Sequence, residues 1–555
     1  MAGAAGASWA GPDGAGGPAG GVVVGLHKDD KEFRHPAVSY LDYKQLDMDR
    51  VLTALLPRLR WKGSPSVIVG SGADLSVDAF VEQIAESPDW FVGFDPDVTA
   101  RWLETHLLDL VNRGKPGQAV AGLRPLHGFT YRFRVGRRSR PYGADEQLYW
   151  MLHHGSKSRE TVLRLLKNFF FAGVDQRVGG VGDATEIDVE TQTLINLCEA
   201  AKRAVTDRED RSRVRKIYPP LDTAAAELLT QDVTRLLYHR GVVPRSVLVD
   251  HLKILFAFHL ARYHFRIMKT LPIWTAGDRV GFGGGFFLDV AGVPGTPAAR
   301  LAETSAQVWY DRIPAFVQAT FTVKKLDDFG WHLVKIGKLR KPAGDMFLVE
   351  QLLSLLGPAH KADRGRFAEA RLARVVEAAS GEDNGLDPQI ADLLQLKLDP
   401  FATYIEIITA YRIKFHRGYL TDCLDSLLLK HRPGAMLTQP RRGQRRFVLD
   451  SRLLEVLLQL ALLRPDGAGT LRTAAIRVDE FLAVLRDRYG LYIDELPPGD
   501  GFGQPSIIDH RALRENRAAL VARLREIGFY TDLSDAYLTQ TITPRYRLGP
   551  DGAPR

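Results

Sequence analysis

The chain has 555 residues, 45% hydrophobic and 25% charged, ordinary proportions for a globular protein of roughly three or four domains. Lys plus Arg exceed Asp plus Glu by 74 − 66 = 8, a mild basic excess that suits a polyanionic partner without requiring one. Cys198 and Cys423 lie outside any CxxC or Cys/His cluster, which excludes a disulfide scaffold and a thiolate metal site; no apolar run reaches the roughly 18–20 residues of a membrane span.

The opening MAGAAGASWAGPDGAGGPAGG has neither a basic nor an apolar leader region, so it is not expected to be a signal peptide. Residues 1–33 are expected to be a disordered Gly/Ala tail, and the protein to be cytoplasmic. Residues 34–141 read as an N-terminal α/β region. Here Leu46, Val51, Leu52, Leu55 and Leu56 recur at helical spacing, and SPSVIVGSGADLSVDAFVEQI reads as strand, glycine turn (Gly70–Asp74) and helix. With WFVGFD as a second strand ending in Asp95, the outline is that of a dinucleotide fingerprint. Leu75 and Ser76 replace its third glycine, which favours a plain glycine turn feeding a surface helix.

Residues 142–270 read as a helical domain. GADEQLYWMLHHGSKSRETVLRLLKNFFFAG gives two helices broken at His153–Ser156. A second helical hairpin has Gly241 as its stop and Pro244 in the next first turn, with Leu248, Leu252, Leu255, Phe256, His259 and Tyr263 as an apolar stripe reaching to Met268. DREDRSRVRKIYPP between the pairs reads as a charged connector. Residues 271–342 read as a β-containing Gly-rich region. Glycines 281, 283, 284 and 285 lack the Lys-Ser/Thr of a P-loop. Residues 343–430 are helical, 431–446 an Arg-rich linker, 447–549 a winged-helix-like domain and 550–555 a tail. The expected fold is thus mainly α and multi-domain, with a small β-containing central region and a C-terminal winged-helix-like domain.

No stretch carries a catalytic signature, and no cofactor or metal is implied. His251, His259 and His264 are separated by eight and five residues, whereas a helical metal pair wants three or four; packing and capping account for them. A nuclease needs clustered carboxylates. Asp289 has no E-x-K companion, and Glu186, Asp188 and Glu190 in TEIDVET alternate as on a solvated strand face. The basic-aromatic stretches YRFRVGRRSRPYG (131–143) and VKKLDDFGWHLVKIGKLRKP (323–342) read as exposed strands, with stacking on nucleic acid as the sharper alternative.

The C-terminus is more informative. Leu513, Leu520, Leu524 and Ile527 fall in one arc at 100° per residue, and Arg511, Arg514, Ala518, Ala522 and Arg525 fall opposite. Arginines separated by alanines would let such a helix approach a phosphate backbone closely. Arg545 and Arg547 sit in a candidate wing, TITPRYRL, and Arg441, Arg442, Arg445 and Arg446 form a second cluster in the linker. Residues 431–555 carry 19 Arg against 15 acids, so a winged-helix shape that docks a protein fits about as well as one that contacts DNA.

The stretches FRHPAVSYLDYKQLDMDRVLTALLPRL, LVDHLKILFAFHLARYHFRIMKTLP, RRFVLDSRLLEVLLQLALLR…FLAVLRDRYGLYID and REIGFYTDLSDAYLTQTITPRYRL resemble the large accessory protein of bacterial methylation-associated defence (MAD) anti-phage systems. An accessory subunit of phosphorothioation-dependent restriction is the nearest competitor. The resemblance implies work beside an ATP-binding protein and a DNA methyltransferase against unmarked phage DNA. Three functions stay open: a non-catalytic accessory or DNA-recognition subunit of a restriction-like complex, a protein-binding scaffold without DNA contact, and a cryptic metal-dependent nuclease or nucleotide-binding protein.

Overall fold

The structure is a computed structural model describing residues 26–69, 76–86, 91–112, 115, 117–156, 160–174, 189–201, 206–213, 216–379, 388–395, 399–440, 443–465, 470–530 and 541–549. It is mostly helical with small two-stranded pairings. Two units are distinguished: Phe33–Gly357 with Arg412–Arg555, and Met1–Glu32 with Pro358–Tyr411.

The larger unit is built on helices α1 (Met48–Arg60), α2 (Ala144–His154), α3 (Thr161–Phe170), α4 (Thr223–Leu237) and α5 (Arg245–Thr275). Asp47 starts α1 by accepting the amides of Asp49 (3.0 Å) and Arg50 (3.4 Å), a standard N-terminal cap. The buried Arg58 of α1 reaches Asp145 at 2.7 Å and Glu146 at 3.4 Å in the first turn of α2. Helix α5 spans 31 residues, roughly 46 Å at 1.5 Å per residue. Its expected stripe is buried, but so is nearly every residue from Leu248 to Leu271. A helix buried on all sides is the centre of a bundle; α5 continues seven residues past Met268, with Pro272 in its last turns.

Helices α6 (Pro297–Tyr310) and α7 (Ile313–Lys335) correct the reading of 271–342. Only Phe286–Phe287 (β3, after β1 Ser66–Val69 and β2 Thr206–Glu209) is strand there. The alternation of cations with aromatics in 323–342 points to an exposed strand. The buried Ile313, Phe316, Val317, Thr320, Val323, Leu326, Phe329, Gly330 and Leu333 of α7 instead recur at helical steps, and packing of that face overrides propensity.

Three further readings change. Strand β1 pairs antiparallel with β2, Ser66 opposite Glu209, so the start of the charged connector, Asp207–Glu209, is strand, and among the described residues β1 has no parallel partner. Residues 91–95 of WFVGFD form a turn, and Asp95 caps helix Pro96–Trp102 by accepting the Val98 amide at 2.9 Å; Gly70–Asp74 lie outside the described residues. The 131–143 stretch opens inside a tight helical turn, Gly128–Phe133, with Tyr131 and Arg132 buried and Arg132 paired to Asp207 of β2 at 3.1 Å.

After helix α8 (Pro400–Leu428) come β4 (Leu437–Thr438), β5 (Arg446–Phe447), α9 (Ser451–Leu462), β6 (Ile476–Arg477), α10 (Val478–Val484), β7 (Leu491–Tyr492), α11 (Ile507–Glu526) and β8 (Thr541–Ile542). Strand β7 runs parallel to β3, Asp289 bridges Val448, and β5 pairs antiparallel with β4. Short pairings and one bridge therefore tie the Gly-rich segment to the C-terminal region.

In the smaller unit, helix Lys361–Ala379 packs by Ala368 and Val375, and the start of α8 by Phe401, Tyr404 and Ile408. Order begins earlier than the expected tail end at 33: helix Lys28–Lys31 forms, and its buried Asp30 accepts the Tyr404 hydroxyl at 2.5 Å.

Candidate nucleic-acid interface

Ser506 and Asp509 begin α11 with a reciprocal cap: Ser506 Oγ accepts the Asp509 amide at 3.2 Å, and Asp509 accepts the Ser506 amide at 2.8 Å. At the other end Gly528 is left-handed, φ +75. The Phe529 amide reaches back to the Leu524 carbonyl and Gly528 to Arg525, both at 3.0 Å, a Schellman closure.

The two faces fall as the periodicity predicts. Leu513, Leu520 and Leu524 are buried, Ile527 is half-buried just past the helix end, and Arg511, Arg514, Ala518, Ala522 and Arg525 are exposed. Asn516, absent from the sequence reading, is the docking peg of this helix. It is 1% exposed; its amide donates to the carbonyls of Leu288 (2.8 Å) and Ile493 (2.9 Å) and accepts from Val290 (2.8 Å). All its hydrogen-bonding capacity save one lone pair is thereby used across β3 and β7. The only sequence signal was a polar residue on an otherwise apolar arc.

The exposed arginines differ in what they hold. Arg511 pairs with Glu515 at 2.8 Å, and Arg525 lies 5.1 Å over the Tyr530 ring. Arg514 and Arg547 are exposed without an ion-pair partner among the described residues. Arg545 is committed to the helix end: it donates to the Ile527 carbonyl, pairs with Glu455 at 2.9 Å and covers Phe529 at 4.9 Å. Its cation sits where the C-terminal dipole favours one.

Of the linker arginines, Arg445 and Arg446 go to different acids. Arg441 and Arg442 lie outside the described residues. Arg445 forks onto Asp425 at 3.1 and 2.6 Å. Burial lowers the Arg445 guanidinium, but Asp425 outweighs it and raises it above its usual value. Arg446 is buried, 3.4 Å from Asp289, and donates to the Gly292 carbonyl at 3.1 Å.

That geometry also places Asp289. Its other oxygen accepts the Gly292 amide at 3.0 Å, and burial raises its carboxyl against the pull of that amide and Arg446. It is a fully buried tie between β3 and β5. Glu186 and Asp188 lie outside the described residues, and Glu190 is in helix Val189–Ala201. Among the described residues no group of three His, Cys, Asp or Glu is placed to hold a metal. His259 meets Asp232 at 3.0 Å and His264 meets Ser39 at 2.9 Å, so the α5 histidines have separate partners.

Of the 281–285 glycines, Gly284 and Gly285 serve packing, whereas a Cβ on Gly281 or Gly283 would meet nothing within 4 Å. A Cβ on Gly284 would sit 2.4 Å from Trp309, and one on Gly285 would sit 2.6 Å from Pro497 and Tyr492. The Gly285 amide is taken by Asp500 (3.0 Å), which also binds Lys269 and Arg312 at 2.6 Å each. Burial raises that carboxyl, yet Lys269, the amide and Arg312 hold it below its usual value. An ionised carboxylate on the loop opposes a phosphate there.

Residues 28–546 match the family model described as methylation-associated defense system protein MAD7. The chain belongs to that family. No curated protein and no solved structure matches it. MAD7 membership makes this a defence-system protein with other system components as its company. Among the described residues no helix is long and apolar enough to cross a membrane.

Proposed function

We propose that this MAD7 protein is a non-catalytic subunit that recognises DNA for its defence system, with α11 as the helix that meets the duplex. The observation that carries the reading is the solvent face of α11, where Arg511, Arg514 and Arg525 alternate with Ala518 and Ala522. The small residues leave room for a backbone to approach, and the arginines supply forks for phosphate. The order α9, β6, α10, α11, Tyr530, β8 supports a winged-helix-like domain, with β8 pairing β6 on one side and Tyr530 on the other. Two departures are the hairpin Leu463–Pro465 with Leu471–Thr473 between α9 and β6, and β7, which lies between α10 and α11 and pairs with β3 instead. An ATP-binding protein and a DNA methyltransferase are the proposed partners.

The test is duplex-DNA binding by the full chain across a salt series. Replacing Arg511, Arg514 and Arg525 together by Gln should weaken binding at all sequences and flatten the slope of log affinity against log salt, by about 0.9 per lost phosphate contact. Unchanged affinity and slope would remove α11 from the interface. The scaffold reading is favoured by Ile507 and Ile508, 88% and 66% exposed at the start of α11. An intact protein that binds no duplex, but loses a co-purifying subunit when both become Ser, would establish it.

A further inference from the structure

The second half of α8 carries a patch of different chemistry. Phe415 is 44% exposed, and its ring packs on Tyr419 at 4.4 Å between centroids. Arg412 lies 4.2 Å over the Phe415 ring, and Lys44 lies 3.1 Å from the centre of Tyr419 and 5.7 Å from that of Phe415. Lys414 and Arg417 are exposed on the adjoining arc, with Gly418 between Arg417 and Tyr419. A Cβ on Gly418 would meet nothing within 4 Å, so the helix backbone is open to close approach. None of Lys44, Arg412, Lys414 and Arg417 has a carboxylate partner among the described residues. The next acid on this face is Asp422, one turn on, whose carboxyl burial and Asp425 push above its usual value. Beneath the patch, His416 is buried and stacked on Phe33 at 4.0 Å.

The geometry points to a binding site for single-stranded nucleic acid on this face, a base stacking on Phe415 and the phosphates meeting Arg412, Lys414 and Arg417. Every base has a face to offer an exposed ring, and unpaired cations track the backbone. A duplex hides its base faces, so the exposed ring selects a single strand. One phenyl ring offers too little apolar surface for stable seating in a lipid bilayer. The site is independent of the duplex reading of α11.

The experiment uses the full chain, a fluorescein-labelled 20-nucleotide dT strand and fluorescence anisotropy. Phe415→Ala should weaken dT binding by roughly 5- to 150-fold, the range for one lost stacking contact, with the salt slope unchanged; Phe415→Trp should restore it. Arg412→Gln with Lys414→Gln and Arg417→Gln should flatten the slope by about 0.7 per contact. Duplex binding should be indifferent to Phe415→Ala, and dT binding indifferent to the α11 triple variant, which separates the two sites. Phe415 and the three cations reach solvent, so the melting temperature reports an intact fold. Wild-type affinity of Phe415→Ala for dT overturns the proposal, as does an intact protein that ignores dT or binds vesicles of anionic phospholipid in its place.

Discussion

Helix α11 and the second half of α8 both present exposed cations, yet they dispose of the charge in opposite ways. On α11 and its surroundings most of the cations are matched by carboxylates: Arg511 by Glu515, Arg517 by Asp479 and Asp494, Arg523 by Glu526, Arg545 by Glu455, with Arg514 and Arg547 the exceptions among the described residues. On α8 the cations lie over aromatic rings or in open solvent. A ring attracts a cation through its quadrupole without cancelling its charge, whereas a carboxylate at under 3 Å cancels it and must be displaced before a phosphate can take its place. Counting arginines therefore overstates the pull of α11 on a polyanion and understates that of α8.

The comparison breaks most sharply where α11 is lost. Leu520 and Leu524 are both fully buried, so replacing both by Ala should cost ~4–10 kcal/mol. Chemical denaturation should show the loss, and duplex binding should fail with it. A double variant that melts early yet keeps wild-type duplex affinity would move that function to another surface.

Acid should act next. Burial holds His127 and His416 at about 3, and His239 and His264 at about 4, against the usual 6.5. These groups are depressed bases, so the unfolded chain binds the extra protons. Their stability contribution is complete above about pH 6.5 and is lost as pH falls toward 3–4. At pH 5 each should cost about 2 kcal/mol, since one pKa unit is about 1.4 kcal/mol. Urea midpoints between pH 7.5 and 5 measure the sum. His416→Phe should remove one share of that pH dependence while keeping the stack on Phe33. If the slope stays the same in this variant, His416 is not a neutral floor beneath the α8 patch.

Smaller again is Asn516→Ala. It strands the Leu288 and Ile493 carbonyls and the Val290 amide in the interior, which should cost about 3–9 kcal/mol at 1–3 kcal/mol per orphaned group. Denaturation detects it. A cost under about 0.5 kcal/mol would mean that α11 docks by its leucines alone.

What was legible in the sequence follows from range. The two faces of α11 were readable because Leu513, Leu520 and Leu524 repeat at the helical period within one segment. The helices around His153–Ser156 and Gly241–Pro244 were readable for the same reason, with local stops and starts. The glycines at 281–285 were not, since the group that claims their amide, Asp500, lies 215 residues further on. Arg445 and Arg446 looked like a phosphate cluster because Asp425 and Asp289 become their partners only once the chain folds. The α8 patch was hidden twice: Phe415 and Arg412 read as ordinary helix residues, and Lys44 comes from the far end of the chain.

The smallest effect tests the comparison at single residues on α11. Arg514 has no carboxylate partner among the described residues and Arg511 holds Glu515, so the two should differ in salt dependence while sharing one helix face. A phosphate contact by Arg514 displaces a condensed cation from DNA and takes none up, so Arg514→Gln should flatten the duplex salt slope by about 0.9. A contact by Arg511 also displaces one, but Arg511 must first give up Glu515. Breaking the pair offsets part of the gain, so Arg511→Gln should lower affinity and flatten the slope by less than Arg514→Gln does. Glu515→Gln removes the competitor; in that background Arg511→Gln should recover a flattening close to that of Arg514→Gln. Equal slopes for the two single variants in the wild-type background would show that the Glu515 pair is too weak in solution to compete. The contrast between carboxylate-held and ring-held cations would then carry no functional weight on this face.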